Sequence, residues 1–334
     1  MLLTVTLFFC SAFAIYIACE FFVNGIEWLG HRLHIGATAV GSVLAAFGTA
    51  LPESAVTLMA VAFGKTPAQK DIGIGAAMGG PLVLATLAYA IVGAAFIFNR
   101  HKLHRSNLQV QVDHTRMSRD QAAFLIVFVV KLGLGLVAFN YKPWLGILFL
   151  AAYAIYVWRE IQTSDTAPEE EEIEPLKFCP SVAAPPLTWV TLQVISALVV
   201  ICVASHLFVG QLEAIGTALN WSPHLVALLL SPVATELPET MNALIWVRQG
   251  KERLALANIS GAMMIQATIP SALGIFFTPW LFDGPLLASG MITAIAIIFL
   301  WHLFRRGAVD GRQLIWVSAL YALFALLVAL YFPR

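Results

Sequence analysis

The motif Thr-x-Leu-Pro-Glu occurs twice, at Thr49 to Glu53 and at Thr235 to Glu239, each time inside an apolar stretch long enough to cross a bilayer. Proline has no N–H and its ring crowds the carbonyl four residues earlier, so Pro52 opens the helix at Gly48 and Pro238 opens it at Ala234. A carbonyl freed at membrane depth is tolerable only where it faces protein, water or a bound cation. Thr49 and Glu53 share a helix face with the first opening, Thr235 and Glu239 with the second, and Glu236 adds a carboxylate to nearly the same face.

An ionised carboxylate at the bilayer centre costs about 2.5 to 3.5 kcal/mol. Three of them need a bound cation, protons or a buried base. A hard divalent cation such as Ca²⁺ takes about 6 to 8 oxygen ligands. Glu53, Glu236 and Glu239, the carbonyls of Gly48 and Ala234 and the hydroxyls of Thr49 and Thr235 form a set of that size. The same carboxylates hold protons when no metal is present, which is one chemical route to exchange. The plainer alternative is a pair of packing kinks with protonated glutamates bonded between helices. Lys131, within the fourth apolar run, is a candidate to neutralise one acid or to stand in for a second cation, and equally to snorkel or to contact a carbonyl.

The elements that position these residues follow from hydropathy. Hydrophobic residues make up 60% of the 334 and charged residues 11%, against about 25% charge in soluble domains. Ten apolar runs predict helices near 2–30, 36–63, 71–98, 121–140, 143–159, 188–219, 224–247, 254–278, 285–304 and 313–332. Net charge is zero, so no basic field points to nucleic acid. No Ser/His/Asp set, His-rich metal motif or phosphate loop points to an enzyme or to a bound cofactor. The four cysteines, Cys10, Cys19, Cys179 and Cys202, have neither disulfide-framework nor metal-ligand spacing. No basic residue precedes the first apolar run, which argues against a cleaved signal peptide.

Alternate loops, at 31–35, 99–120, 160–187, 248–253 and 305–312, carry 14 of the 19 Lys and Arg when Arg159 at its helix end is included. The positive-inside rule makes that side cytoplasmic and leaves both termini outside, in a cytoplasmic (inner) or plasma membrane. The linker at 160–187 holds Glu169 to Glu172 and Glu174 among five prolines, and reads as a solvated, flexible connection.

The second motif lies 186 residues after the first, from Glu53 to Glu239, and the same shift keeps producing matches: Glu27 with Glu213, Gly30 with Gly216, Gly64-Lys65 with Gly250-Lys251, Gly75-Ala76 with Gly261-Ala262. An ungapped register that includes charged residues and glycines is the mark of duplication. Five spans separate equivalent positions, so the two halves enter the membrane from opposite sides. The sequence therefore predicts an all-α polytopic membrane protein of ten transmembrane helices in two inverted five-helix repeats, residues 1–159 and 188–334, joined by an acidic cytoplasmic linker at 160–187. Such repeats place their site at the midplane and expose it alternately to each side.

The run Cys19 to Gly30, followed by Gly48 to Glu53 and by Ala234 to Glu239, resembles the two alpha repeats of the calcium:cation antiporter superfamily, which includes the sodium/calcium exchangers. The resemblance implies that Glu53 and Glu239 are central cation ligands, that Thr49 and Thr235 add oxygens, and that the partners are inorganic cations and the lipid bilayer. The chain departs from that pattern in the third and eighth helices. Where the family usually has Gly-Ser-Asn and a further polar residue, it reads Gly75-Ala76-Ala77-Met78-Gly79-Gly80 and Gly261-Ala262-Met263-Met264-Ile265-Gln266. Only Gln266 is polar at those ligand positions, so a three-Na⁺ stoichiometry does not carry over. The resulting expectation is exchange of Ca²⁺ or another divalent cation for Na⁺ or H⁺, the alternative being a non-exchanging cation pathway or a regulatory membrane protein on the same scaffold.

Overall fold

The computed structural model describes residues 1–32, 51–102, 107–163, 174–307 and 309–331. Within them the chain is almost wholly helical: α1 Leu2–Arg32, α2 Leu51–Phe63, α3 Pro67–Asn99, α4 His114–Leu136, α5 Gly146–Thr163, α6 Leu187–Leu219, α7 Pro223–Thr235, α8 Leu237–Arg248, α9 Glu252–Phe277, α10 Gly284–Arg305 and α11 Gly311–Tyr331. Six of these, α1, α3, α6, α9, α10 and α11, are long and apolar enough to cross a membrane. Leu3, Phe13, Ile126, Val129, Leu192, Val199 and Leu326 are exposed on helix faces, as a lipid-facing surface requires. The protein is an integral, multi-pass membrane protein.

Three differences from the sequence reading have local causes. The seventh run, expected as one helix over 224–247, is two: α7 stops at Thr235, α8 starts at Leu237, and Glu236 stands between them at φ −95°, ψ −5°. Pro238 has no N–H for the carbonyl of Ala234, so the helix opens there. The fourth helix starts at His114 rather than near 121, because the Asp113 carboxylate caps it by accepting from Arg116 N at 3.0 Å. The third likewise starts at Pro67, capped by Thr66, whose Oγ1 accepts from Gln69 N at 3.1 Å. Hydropathy finds the apolar part of a helix and misses its polar first turn.

The linker is also more anchored than its composition suggests. Its acidic run, Glu169 to Glu172, lies outside the described residues, but the stretch after it docks on α1 and α6. Asn24 Nδ2 and Trp28 Nε1 donate to Glu174 O at 3.2 and 2.9 Å, and Arg32 Nη2 donates to Pro185 O at 2.6 Å. Phe178 N donates to Gln193 Oε1 at 2.8 Å. Prolines leave backbone carbonyls without helical partners, and these side chains satisfy them.

The principal packing pairs are α1 on α6, α4 on α10, α3 on α7 and α11, α9 on α2, α3, α4 and α5, α2 on α3 and α8 on α9. Loop contacts fall into two groups. Arg32 reaches Pro185, and Gln109–Val110 pairs antiparallel with Val309–Asp310. In the other group Lys142 Nζ donates to Pro279 O at 2.8 Å, and His224 sits between Asp283 (2.9 Å) and Asp71 (3.5 Å). Small residues let the helices close up: a Cβ on Gly75 of α3 would come within 2.6 Å of the His224 backbone carbonyl on α7. Without hydrophobic drive between helices in lipid, such close backbone approach is what holds them.

Candidate ion site

The α7–α8 break places Thr235 and Glu236 at the end of one helix and Glu239 in the first turn of the next. Glu53 lies in the first described turn of α2. A helix N-terminus carries partial positive charge from its unpaired N–H groups, which suits a carboxylate in the first turn. All four side chains are buried, as is Gln266 on α9. The structure thus brings Glu53, Thr235, Glu236, Glu239 and Gln266 into one buried region. Ala234 is half-buried in the last turn of α7; Gly48 and Thr49 lie outside the described residues.

Thr235 connects the two copies of the motif. Its Oγ1 donates to Glu53 Oε2 at 2.5 Å and lies 3.2 Å from both Ser231 O and Glu236 Oε1. One hydroxyl has one proton and faces three acceptors, so it can donate fully to only one of them. Gln266 Nε2 donates to both oxygens of Glu236, at 2.9 and 2.8 Å. Its own Oε1 then turns toward Gly80 of α3: a Cβ there would be 2.7 Å from Gln266 Oε1 and 2.8 Å from Glu236 Oε1. Gly80 therefore forms one wall of the site, and residues 80 and 266 are equivalent under the 186-residue shift.

Among the described residues, Glu53 Oε1, both oxygens of Glu239, Gln266 Oε1 and the hydroxyls of Ser231 and Thr57 have no hydrogen-bond partner. Thr57 lies four residues after Glu53 and Ser231 four before Thr235, so each extends a motif face by one turn. Their spacing from the motif was the available sequence signal. Among the described residues no three His, Cys, Asp or Glu side chains close into a ready-made metal-ligand group; the Thr235 hydroxyl stands between Glu53 and Glu236 instead. Buried, partner-poor oxygens on two carboxylates, Glu53 and Glu239, are a chemistry for binding protons or a hard cation.

The polar residues of the long first helices do other work. Glu20 pairs with Lys177 at 3.1 Å, and Glu213 accepts from Thr66 Oγ1 at 2.8 Å and from Gln69 Nε2 at 2.7 Å. These bonds tie α1 to the linker and α6 to the start of α3.

Comparison with known proteins agrees with this fold. The E. coli (strain K12) inner membrane protein YrbG is 25% identical over 98% of this chain and 100% of its own length. The putative antiporter CaxA of Alkalimonas amylolytica is 24% identical over 82% of this chain and 78% of its own. The fold is shared with the H⁺/Ca²⁺ exchanger CAX, at a TM-score of 0.72 and 18% identity over 98% of this chain and 82% of that one. It is shared also with the sodium-calcium exchanger NCX_Mj, at a TM-score of 0.59 and 19% identity over 98% of each chain. The family model for the sodium/calcium exchanger protein matches residues 3–162 and 189–333, most of the sequence, and the chain belongs to that family.

Proposed function

We propose that the protein is a secondary active antiporter that exchanges Ca²⁺ or another divalent cation for Na⁺ or H⁺ at a site built from Glu53, Glu236, Glu239, Thr235 and Gln266, with Thr49 and the carbonyls of Gly48 and Ala234 as further ligands. The observation that carries the reading is the buried contact between the two motif copies, Thr235 to Glu53, beside carboxylate oxygens that lack donors. When a divalent ion enters, the Thr235 oxygen turns its lone pairs to the metal and the carboxylates close on it. When the ion leaves, protons neutralise the same carboxylates, since three buried charges cannot stand unpaired. The scarcity of side-chain oxygens on α3, where Gly80 faces the site, favours H⁺ over Na⁺ as the counter-ion.

Two inverted repeats with alternating access complete the reading. The packing pairs support it: shifting each helix by five spans, with α7 and α8 as one interrupted span, converts α3 on α7 into α9 on α2, α3 on α11 into α9 on α5, and α2 on α3 into α8 on α9. The pairs α1 on α6 and α4 on α10 map onto themselves. The two groups of loop contacts fit ten alternating spans, and the distribution of Lys and Arg puts the linker side in the cytoplasm. Purified protein in vesicles tests the function. Uptake of ⁴⁵Ca²⁺ or another divalent ion should require an opposing H⁺ or Na⁺ gradient; uptake that needs neither would replace exchange with a passive pathway.

A further inference from the structure

The buried lysine of α4 sits on a carbonyl that its own helix cannot satisfy. Pro81 lies inside α3 and has no N–H, so the carbonyl of Ala77, four residues before it, loses its helical partner. Lys131 Nζ donates to that oxygen at 2.7 Å. The ammonium is wholly buried, 5.3 Å from the Phe128 ring centroid and 5.9 Å from that of Trp280. Trp280 Nε1 in turn donates to Lys131 O at 3.3 Å. A carbonyl oxygen and two aromatic faces suit a desolvated ammonium.

A neutral donor would close the α3 gap without the cost of a buried charge. The seat of the charge, Ala77, lies one helical turn before Gly80, the residue of α3 that forms a wall of the carboxylate site. We propose that Lys131 is a specificity-determining residue of the carboxylate site: its ammonium is a tethered monovalent cation, seated on the proline-opened carbonyl of α3, in the place a mobile monovalent cation would otherwise take. This rests on the carboxylate-site reading above and deepens it. With that place filled by a group that cannot leave, the counter-charge is carried by protons on the glutamates rather than by Na⁺.

The test is thermal unfolding of the purified protein in NaCl, LiCl or KCl against N-methyl-D-glucamine chloride at equal ionic strength. Wild type, Lys131→Arg, Lys131→Gln and Lys131→Ser are compared. Wild type and Lys131→Arg should show no saturable shift in Tm specific to one small cation. Lys131→Gln or Lys131→Ser should gain one, and adding Glu53→Gln should remove it. Neutral variants that fold but gain no such shift overturn the proposal, as does a saturable Na⁺ shift in wild type that Glu53→Gln abolishes. If neither neutral variant folds, the wild-type and Lys131→Arg results decide by the same criterion. A parallel Ca²⁺ titration of wild type keeps the two readings apart: its failure counts against divalent transport, while the Na⁺ comparison still reads the lysine.

Discussion

Thr235 Oγ1 donates to Glu53 Oε2 at 2.5 Å across 182 residues of chain. Each residue belongs to a different copy of one motif and lies within three residues of that copy's proline. The bond joins the two halves of the chain at a buried polar contact, so a change in ion occupancy there bears on how the halves meet. Each consequence below has a direct measurement.

Glu53→Gln and Glu239→Gln remove a charge while keeping size and one acceptor oxygen. Divalent uptake in vesicles should fall about 100-fold or more, which corresponds to ~2.7 kcal/mol at 1.36 kcal/mol per decade. Thermal stability without metal should hold, because the neutral amide replaces a carboxyl that the empty site keeps protonated. Near wild-type flux in either variant would refute the site assignment.

Gln266 supplies both side-chain amide bonds to Glu236. Gln266→Leu strips the buried carboxylate of these donors, and the loss of a buried partner costs about 1–3 kcal/mol. The midpoint of unfolding in detergent should drop, and drop less in the double variant with Glu236→Leu, where no orphaned acid remains. Equal destabilisation in both would show that the amide acts only by packing.

Gly80 and Gly75 should separate ion binding from helix packing. A methyl on Gly80 meets the oxygens of Gln266 and Glu236, whereas one on Gly75 meets backbone of α7. Overpacking costs about 1–3 kcal/mol. Gly80→Ala should weaken divalent affinity, measured by competition uptake, more than it lowers Tm; Gly75→Ala should do the reverse.

Asp283, just before α10, links pH to stability. Burial opposes its ionisation, but the hydrogen bond and charge of His224, with the N–H of Leu286 and its own N–H, prevail and hold its carboxyl below the usual value. A carboxylate whose folded value is depressed contributes stability above the unfolded value near ~3.9, and loses it as pH falls through the lowered folded value. Asp283→Asn should therefore melt lower than wild type at neutral pH, and the gap should narrow once pH falls below the ordinary carboxylate range. A gap constant with pH would mean that the aspartate acts through shape alone.

The membrane class and the helical runs were legible in the sequence because hydropathy over about 20 residues answers to bilayer thickness alone. Pro238 announced the break at Glu236 for an equally local reason, a missing N–H. Starts such as Asp113 and Thr66 were missed because a capped first turn is polar and leaves no apolar signal. The docking of residues 174–186 was missed because its partners, Asn24, Trp28 and Gln193, are far away in sequence.

The sequence by itself determined which groups are costly in lipid, namely the motif glutamates, the helix-breaking prolines and one lysine, since cost depends on residue type and depth. Only the tertiary structure decided who answers them: Thr235 for Glu53, Gln266 for Glu236, Ala77 for Lys131. Those pairings depend on how each helix is rotated about its axis and how closely its small residues let neighbours approach. Side-chain packing summed over the whole bundle sets both, and no single stretch of sequence contains it.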